Sequence, residues 1–154
     1  MSTSYEVIYA NFLSKIKSYE VSVWSEEELK EYLHDYLLTA ISKFHVCRKD
    51  LSDRDDELGE FNVDLSLEEI EILTMYAIME YIDSTYIRTP TLLKSSLSSS
   101  DFNSYSPANQ LTALRELQAK CIKDIETLVA RYSWMGSKDS EVLSSISDGY
   151  YKKG

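Results

Sequence analysis

The chain has 154 residues, 44% hydrophobic and 27% charged, and its 26 acids outnumber the 16 Lys and Arg for a formal net charge of −10. That length fits one domain with a core large enough to need no staples, and scarce Gly (4) and Pro (2) favour helices over a turn-rich β architecture. The negative balance argues against bulk nucleic-acid binding, because phosphate affinity needs a basic surface.

No apolar run approaches the roughly 18 residues of a membrane span. The start, Met1-Ser2-Thr3-Ser4-Tyr5-Glu6, lacks the basic and apolar stretches of a signal peptide, so the protein is expected to be made and used inside a cell. Cys47 and Cys121 are isolated, with no CxxC spacing, and make no disulfide framework. Cys121 falls on an apolar helix face and reads as a small core residue. The charge is uneven. Residues 1–83 hold 19 acids and 7 bases, a net of −12, whereas residues 84–154 hold 7 acids and 9 bases, a net of +2. Solvated acidic helix faces explain this, and so does self-association of an acidic surface with a neighbour's more basic one.

In chain order, Tyr5, Ile8, Tyr9, Phe12 and Ile16 recur at helical spacing and predict a first helix from about Ser4 to Tyr19. Tyr19–Trp24 breaks the pattern and reads as a loop or short extended stretch. Ser25 and Glu28 form a capping box, and the helix that follows carries Leu29, Leu33, Tyr36, Leu37, Ala40, Ile41 and Phe44 on one face. From His45 to Asp64 charge replaces periodicity, which predicts a long solvated connection, functional or mobile.

A second capping box, Ser66 and Glu69, opens a helix that is apolar nearly all round and is therefore expected at the centre of a bundle. It should end before Pro90. Leu92, Leu93 and Leu97 suggest a short helical turn, and Ser95–Ser100 a loop. Ser106 as cap and Pro107 at the first helical position start the last helix. Leu111, Leu114, Gln118, Cys121, Ile125, Leu128 and Tyr132 mark its inner face, and an end near Tyr132 or Ser133 makes it about 39 Å long. After Gly136 the composition turns to Ser, Lys, Asp and Gly and predicts a loose tail. The expected fold is all-α: a helical bundle domain over residues 1–135, with about four principal helices and long connecting loops, and a flexible C-terminal tail over 136–154.

No catalytic site, metal site or cofactor is expected. Asp53, Asp55 and Glu57 share the alternate spacing of calcium ligands, but Leu58 stands where the loop needs Gly and Asp64 where it needs a bidentate Glu. His34 and His45 have no partners at a diagnostic spacing. The serines lack a GxSxG elbow, and the glycines make no phosphate cradle. An enzyme is not the expected reading. Tyrosine is the one unusual count, at 12. Tyr9, Tyr36, Tyr81 and Tyr132 fall on inner faces and read as core. Tyr105, Tyr150 and Tyr151 lie outside the periodic helices and are candidate partner contacts, because Tyr gives large contact area for few frozen torsions.

Tyr9-x-x-Phe12-Leu13-x-Lys15-Ile16 in the first helix and Phe44 through Asp55 (FHVCRKDLSDRD) carry a family likeness. So do Phe61-Asn62-x-Asp64-Leu65-x-x-Glu68-Glu69-Ile70-Glu71-Ile72-Leu73, Leu92-Leu93-Lys94, Asp101-Phe102 and Tyr132-Ser133-Trp134. In that order, over most of residues 5–135, the chain resembles the small helical neck proteins of long-tailed bacteriophages. These are the head-completion or head-to-tail connector adaptors that dock onto the portal. The resemblance implies a structural virion protein, made in the bacterial host cytoplasm and placed in the neck. It implies a homo-oligomeric ring, in twelve copies to match the portal, contacting the portal protein and a tail-completion or second neck protein while DNA passes without sequence-specific binding. An acidic inner surface would repel phosphates and let the genome through. On this reading Asp53, Asp55 and Asp56 in the acidic loop, and Tyr150 and Tyr151 against the portal, are the candidate partner-binding residues. The alternative is a small acidic helical regulator or inhibitor that occupies a partner's basic cleft.

Overall fold

The computed structural model describes residues 1–16, 24–88 and 107–151, with side chains for all of these except 107–111 and 137–151. The fold is all-α. Helices α1 (Tyr5–Lys15), α2 (Glu26–Lys43), α3 (Leu67–Ile82) and α4 (Pro107–Tyr151) carry it, with a wide π-helical turn over Asp83–Arg88 and three two-residue strands. No helix among the described residues is long and apolar enough to cross a membrane.

The helix starts follow their capping chemistry. Ser25 accepts the Glu28 N–H while the Glu28 carboxylate accepts the Ser25 N–H at 3.0 Å; Ser66 and Glu69 do the same at the start of α3, the reciprocal distance being 2.8 Å. The first helix stops earlier than its sequence pattern suggests. Ile16 adopts extended backbone and turns its side chain against the core, so α1 ends at Lys15. The expected stretch Tyr19–Trp24, the Leu92–Leu97 turn, the Ser95–Ser100 loop, Tyr105 and the Ser106 cap lie wholly or largely outside the described residues.

Helix α3 is the centre. Nine of its residues are buried, including Ile72, Leu73, Ala77, Ile78 and Tyr81, and it packs against α1, α2 and α4. From α1 come Tyr5, Ile8 and Phe12, and from α2 Leu33, Leu37 and Ala40. A polar seam also joins α1 to α3. Asn11 donates to Glu71 and to the Thr74 hydroxyl, both at 3.0 Å, and Lys15 pairs with Glu71 at 2.8 Å.

Residues 45–64 are not the solvated connection that their charge predicts. Leu51 and Phe61 are buried in the main core, as is Leu65 just past the segment. Strand β2 (Arg54–Asp55) and strand β3 (Glu60–Phe61) form a hairpin, and β3 also pairs antiparallel with β1 (Thr3–Ser4), giving the order β1-β3-β2. Gly59 takes φ +67° in the turn, and its carbonyl accepts the Tyr5 N–H at 2.8 Å. Thr3 ties the other side: its hydroxyl donates to the Val63 carbonyl at 3.1 Å and accepts the Leu65 N–H at 2.9 Å. Two-residue strands are too short to leave a periodicity, so charge dominates the sequence pattern of this segment.

The last helix differs most. Its backbone is helical for 45 residues, through Gly136 to Tyr151, where the sequence predicts a loose tail from 136. Extending an existing helix carries no nucleation cost, and Gly136 and Gly149 cost only about 1 kcal/mol each. In the sequence, Val142, Leu143 and Ile146 also keep helical spacing. At about 1.5 Å per residue α4 is about 68 Å long, against about 27 Å for the 18-residue α2.

Candidate functional site

The acidic loop places Asp53, Asp55 and Asp56 on separate structural tasks. Asp53 accepts from the Asn62 side chain at 2.8 Å, and Asp55 accepts the N–H groups of Glu57 and Leu58, both at 2.9 Å. Asp56 accepts the Tyr5 hydroxyl at 2.6 Å and pairs with Arg54 at 3.1 Å. The Tyr5 hydrogen bond, with Arg54 assisting against a small burial cost, holds the Asp56 carboxyl below its usual range. In return, burial and then Asp56 raise the Tyr5 phenol. The three carboxylates therefore shape the hairpin and do not converge on one point, and no group of three His, Cys, Asp or Glu suited to a metal occurs among the described residues. Beside them a hollow of about 360 Å³ is lined by Tyr5, Tyr9, Lys30, His34 and Asp56. The Tyr9 hydroxyl lies 3.3 Å from His34 Nδ1, and burial with the Asp56 charge pushes Tyr9 up to about 12.

A second constellation, invisible to sequence spacing, holds α4 to the bundle. Tyr132 is 1% exposed. Its hydroxyl donates to Glu69 Oε1 at 2.6 Å and accepts the Arg48 N–H at 2.8 Å. The Arg48 guanidinium lies 4.1 Å over the Tyr132 ring and donates to the Tyr132 carbonyl. Gly136 leaves room for it, since a Cβ there would sit 2.6 Å from Arg48 Nε. Glu69 is thus the cap of α3 with one oxygen and the anchor of α4 with the other. Among the described side chains of α4, only Ile125 and Tyr132 are buried. Gln118 adds a hydrogen bond to Asp83 at 2.7 Å, and Arg131 an exposed pair with Glu68 at 3.0 Å.

The tyrosines read as core divide by depth. Tyr81 and Tyr132 are buried, whereas Tyr9 and Tyr36 are half-buried against the core. Tyr36 donates to the Tyr32 hydroxyl at 2.9 Å, and Trp24 stacks edge-on against Tyr32 with centroids 4.3 Å apart. Cys47 and Cys121 are free and half-buried, and burial pushes both thiols up, which keeps them in the unreactive protonated form. Tyr105 is outside the described residues. Tyr150 and Tyr151 lie in the helical backbone of α4, their side chains undescribed.

The two ends of α2 carry opposite charge. At its N-terminal end the half-exposed Trp24 borders an open hollow of about 390 Å³ with Glu28, Glu31, Tyr32 and Asp35. Past its C-terminal end a hollow of about 450 Å³ is lined by Ile41, His45, Arg48, Lys49 and Asp50 among others. Among the described residues, Glu31 and Asp35 have no cation, and Arg48 and Lys49 no carboxylate, within ion-pair distance.

These features define an all-α bundle whose surface carries charged and aromatic clusters. Comparison with protein-family models, with curated proteins and with solved structures finds no match to the chain.

Proposed function

We propose that this protein is a structural component of a tailed-phage neck, a ring-forming connector that joins the portal of the head to the tail and lets DNA pass. The observation that carries the reading is α4. It is about 68 Å long on a bundle whose next-longest helix is about 27 Å, so it reaches well past the core that holds it at Ile125 and Tyr132. A helix of that length is suited to engage a neighbour or a portal. The ordered likeness of the motif stretches to phage neck proteins supports the same assignment, as does the acidic front half, which disfavours adhesion to passing DNA.

The test is affinity capture of a tagged full-length chain from phage-producing cells, with the retained proteins identified by mass spectrometry. Portal and tail-completion proteins in multi-copy amounts are expected. A chain ending at Gly136 should retain the bundle and lose the portal, because Tyr150 and Tyr151 are assigned to that contact. Recovery of one enzyme at low stoichiometry without virion proteins would replace the connector with an acidic regulator of that enzyme.

A further inference from the structure

We infer that copies of this chain contact one another head to tail through the two ends of α2: the Trp24 corner of one copy seats in the Arg48/Lys49 hollow of the next. This rests on the connector reading, since a ring needs one repeated heterologous contact, and it names the surfaces that make it.

Three observations carry it. First, the two surfaces are complementary in charge: Glu28, Glu31 and Asp35 line the Trp24 hollow, while Arg48 and Lys49 outnumber Asp50 in the other. Glu31 and Asp35 are exposed without a cation partner among the described residues, and so are Arg48 and Lys49 without a carboxylate. The other described cations of the acidic front half, Lys15, Lys30, Lys43 and Arg54, are all paired. Second, the shapes suit each other. Trp24 has its ring partly exposed at the start of α2, and the hollow of about 450 Å³ past the other end has room for such a ring beside Ile41, His45, Arg48 and Lys49. An aromatic seated in a hollow beside opposite charges concentrates interface energy. Third, the acidic surface lies along the N-terminal half of α2, from Trp24 to Asp35, and the basic one past its C-terminal end. Each copy therefore presents two different surfaces, and repetition builds a closed ring or an open chain instead of saturating at a pair.

The experiment is sedimentation velocity on the full-length chain up to about 1 mM protein, at low and physiological ionic strength. Circular dichroism on each variant confirms the fold. The native chain should grow with concentration past two copies, more weakly as salt rises. Lys49→Glu and Glu31→Lys, both at exposed positions, should each weaken self-association about tenfold or more, and the double variant, which re-pairs the charges in reverse, should recover most of it. Growth unaffected by either reversal, loss not rescued by the double variant, or arrest at two copies would overturn the contact. So would a chain that stays monomeric throughout. A monomer that still captures portal would leave the connector reading standing, and a charge-sensitive oligomer that captures none would spare the contact and sink the connector.

Discussion

Glu69 and Tyr132 show how one side chain can serve two elements. The capping box of α3 predicts the bond from Glu69 to the Ser66 N–H, and nothing local predicts that the second oxygen receives the Tyr132 hydroxyl from 63 residues away. Glu69 is 2% exposed, so removing that donor leaves a buried carboxylate oxygen short of a partner. Tyr132→Phe keeps the ring and its stacking and should cost about 2 kcal/mol, in the range for a hydrogen bond to a charged group. Urea unfolding reads this as a lower midpoint at unchanged slope. A loss under about 0.5 kcal/mol would mean that water replaces the hydroxyl freely and that the node is not the anchor described.

Glu80 carries a pH dependence at the same scale. Burial works to raise its carboxyl, but the hydrogen bonds and charges of Lys43, at 2.8 Å, and Arg88 outweigh burial and lower it below its ordinary 4.5. A carboxyl depressed in the folded state contributes stability that is fully present above the unfolded value and is lost as pH falls through the folded one. The thermal midpoint should therefore drop as pH is taken below about 4.5, and Glu80→Gln should flatten that acid limb while lowering the midpoint at neutral pH. Equal acid slopes in both proteins would remove Glu80 as a contributor.

Among elements, the hairpin of residues 54–61 and helix α4 depart furthest from expectation, in opposite directions. The hairpin replaces a solvated loop because Phe61, wholly buried, draws the charged segment onto the core, and because Thr3 and Tyr5 give it a partner strand and a turn contact. One cue was available. Asp56-Glu57-Leu58-Gly59 is a four-residue connection containing Gly, and it separates two short stretches. The turn depends on Gly59. A Cβ there would meet only Tyr5 Cδ2 at 3.9 Å, an ordinary contact, so the cost of substitution is conformational. Gly59→Ala should destabilise by about 1–2 kcal/mol, the strain of a left-handed side chain. A gain in stability, the usual result where the backbone suits Ala, would show that the turn does not hold φ near +67°.

Helix α4 runs the other way: its backbone is helical further than its composition suggests, and among its described side chains only Ile125 and Tyr132 are buried. Over its described side chains, residues 112–136, this low burial makes α4 less committed to the core than α3.

At the scale of the whole molecule, charge does more than its total indicates. Among the described residues, Lys15, Lys30, Lys43 and Arg54 of the front half pair with its own acids, which leaves Arg48 and Lys49 beyond the C-terminal end of α2, while Glu31 and Asp35 on its N-terminal half have no cation partner. The arrangement agrees with the helix dipole, which favours acids at the N-terminal end and bases at the C-terminal end. A pattern that stabilises one helix thereby also supplies the complementary ends that a repeating contact uses. The regulator alternative needs no such repetition, which is why stoichiometry separates the two readings.

Local chemistry in the sequence determined where α2 and α3 begin, which faces of the first three helices are apolar, and that α3 is central. Capping boxes and 3.6-residue periodicity act over a few residues and survive as patterns in the chain. Only the tertiary structure decided that residues 45–64 fold onto the core, that Asp53, Asp55 and Asp56 shape a hairpin, and that Glu69, Arg48 and Tyr132 meet. These contacts join residues up to 84 positions apart, and such pairings depend on how packed elements bring distant groups together, which no local spacing encodes.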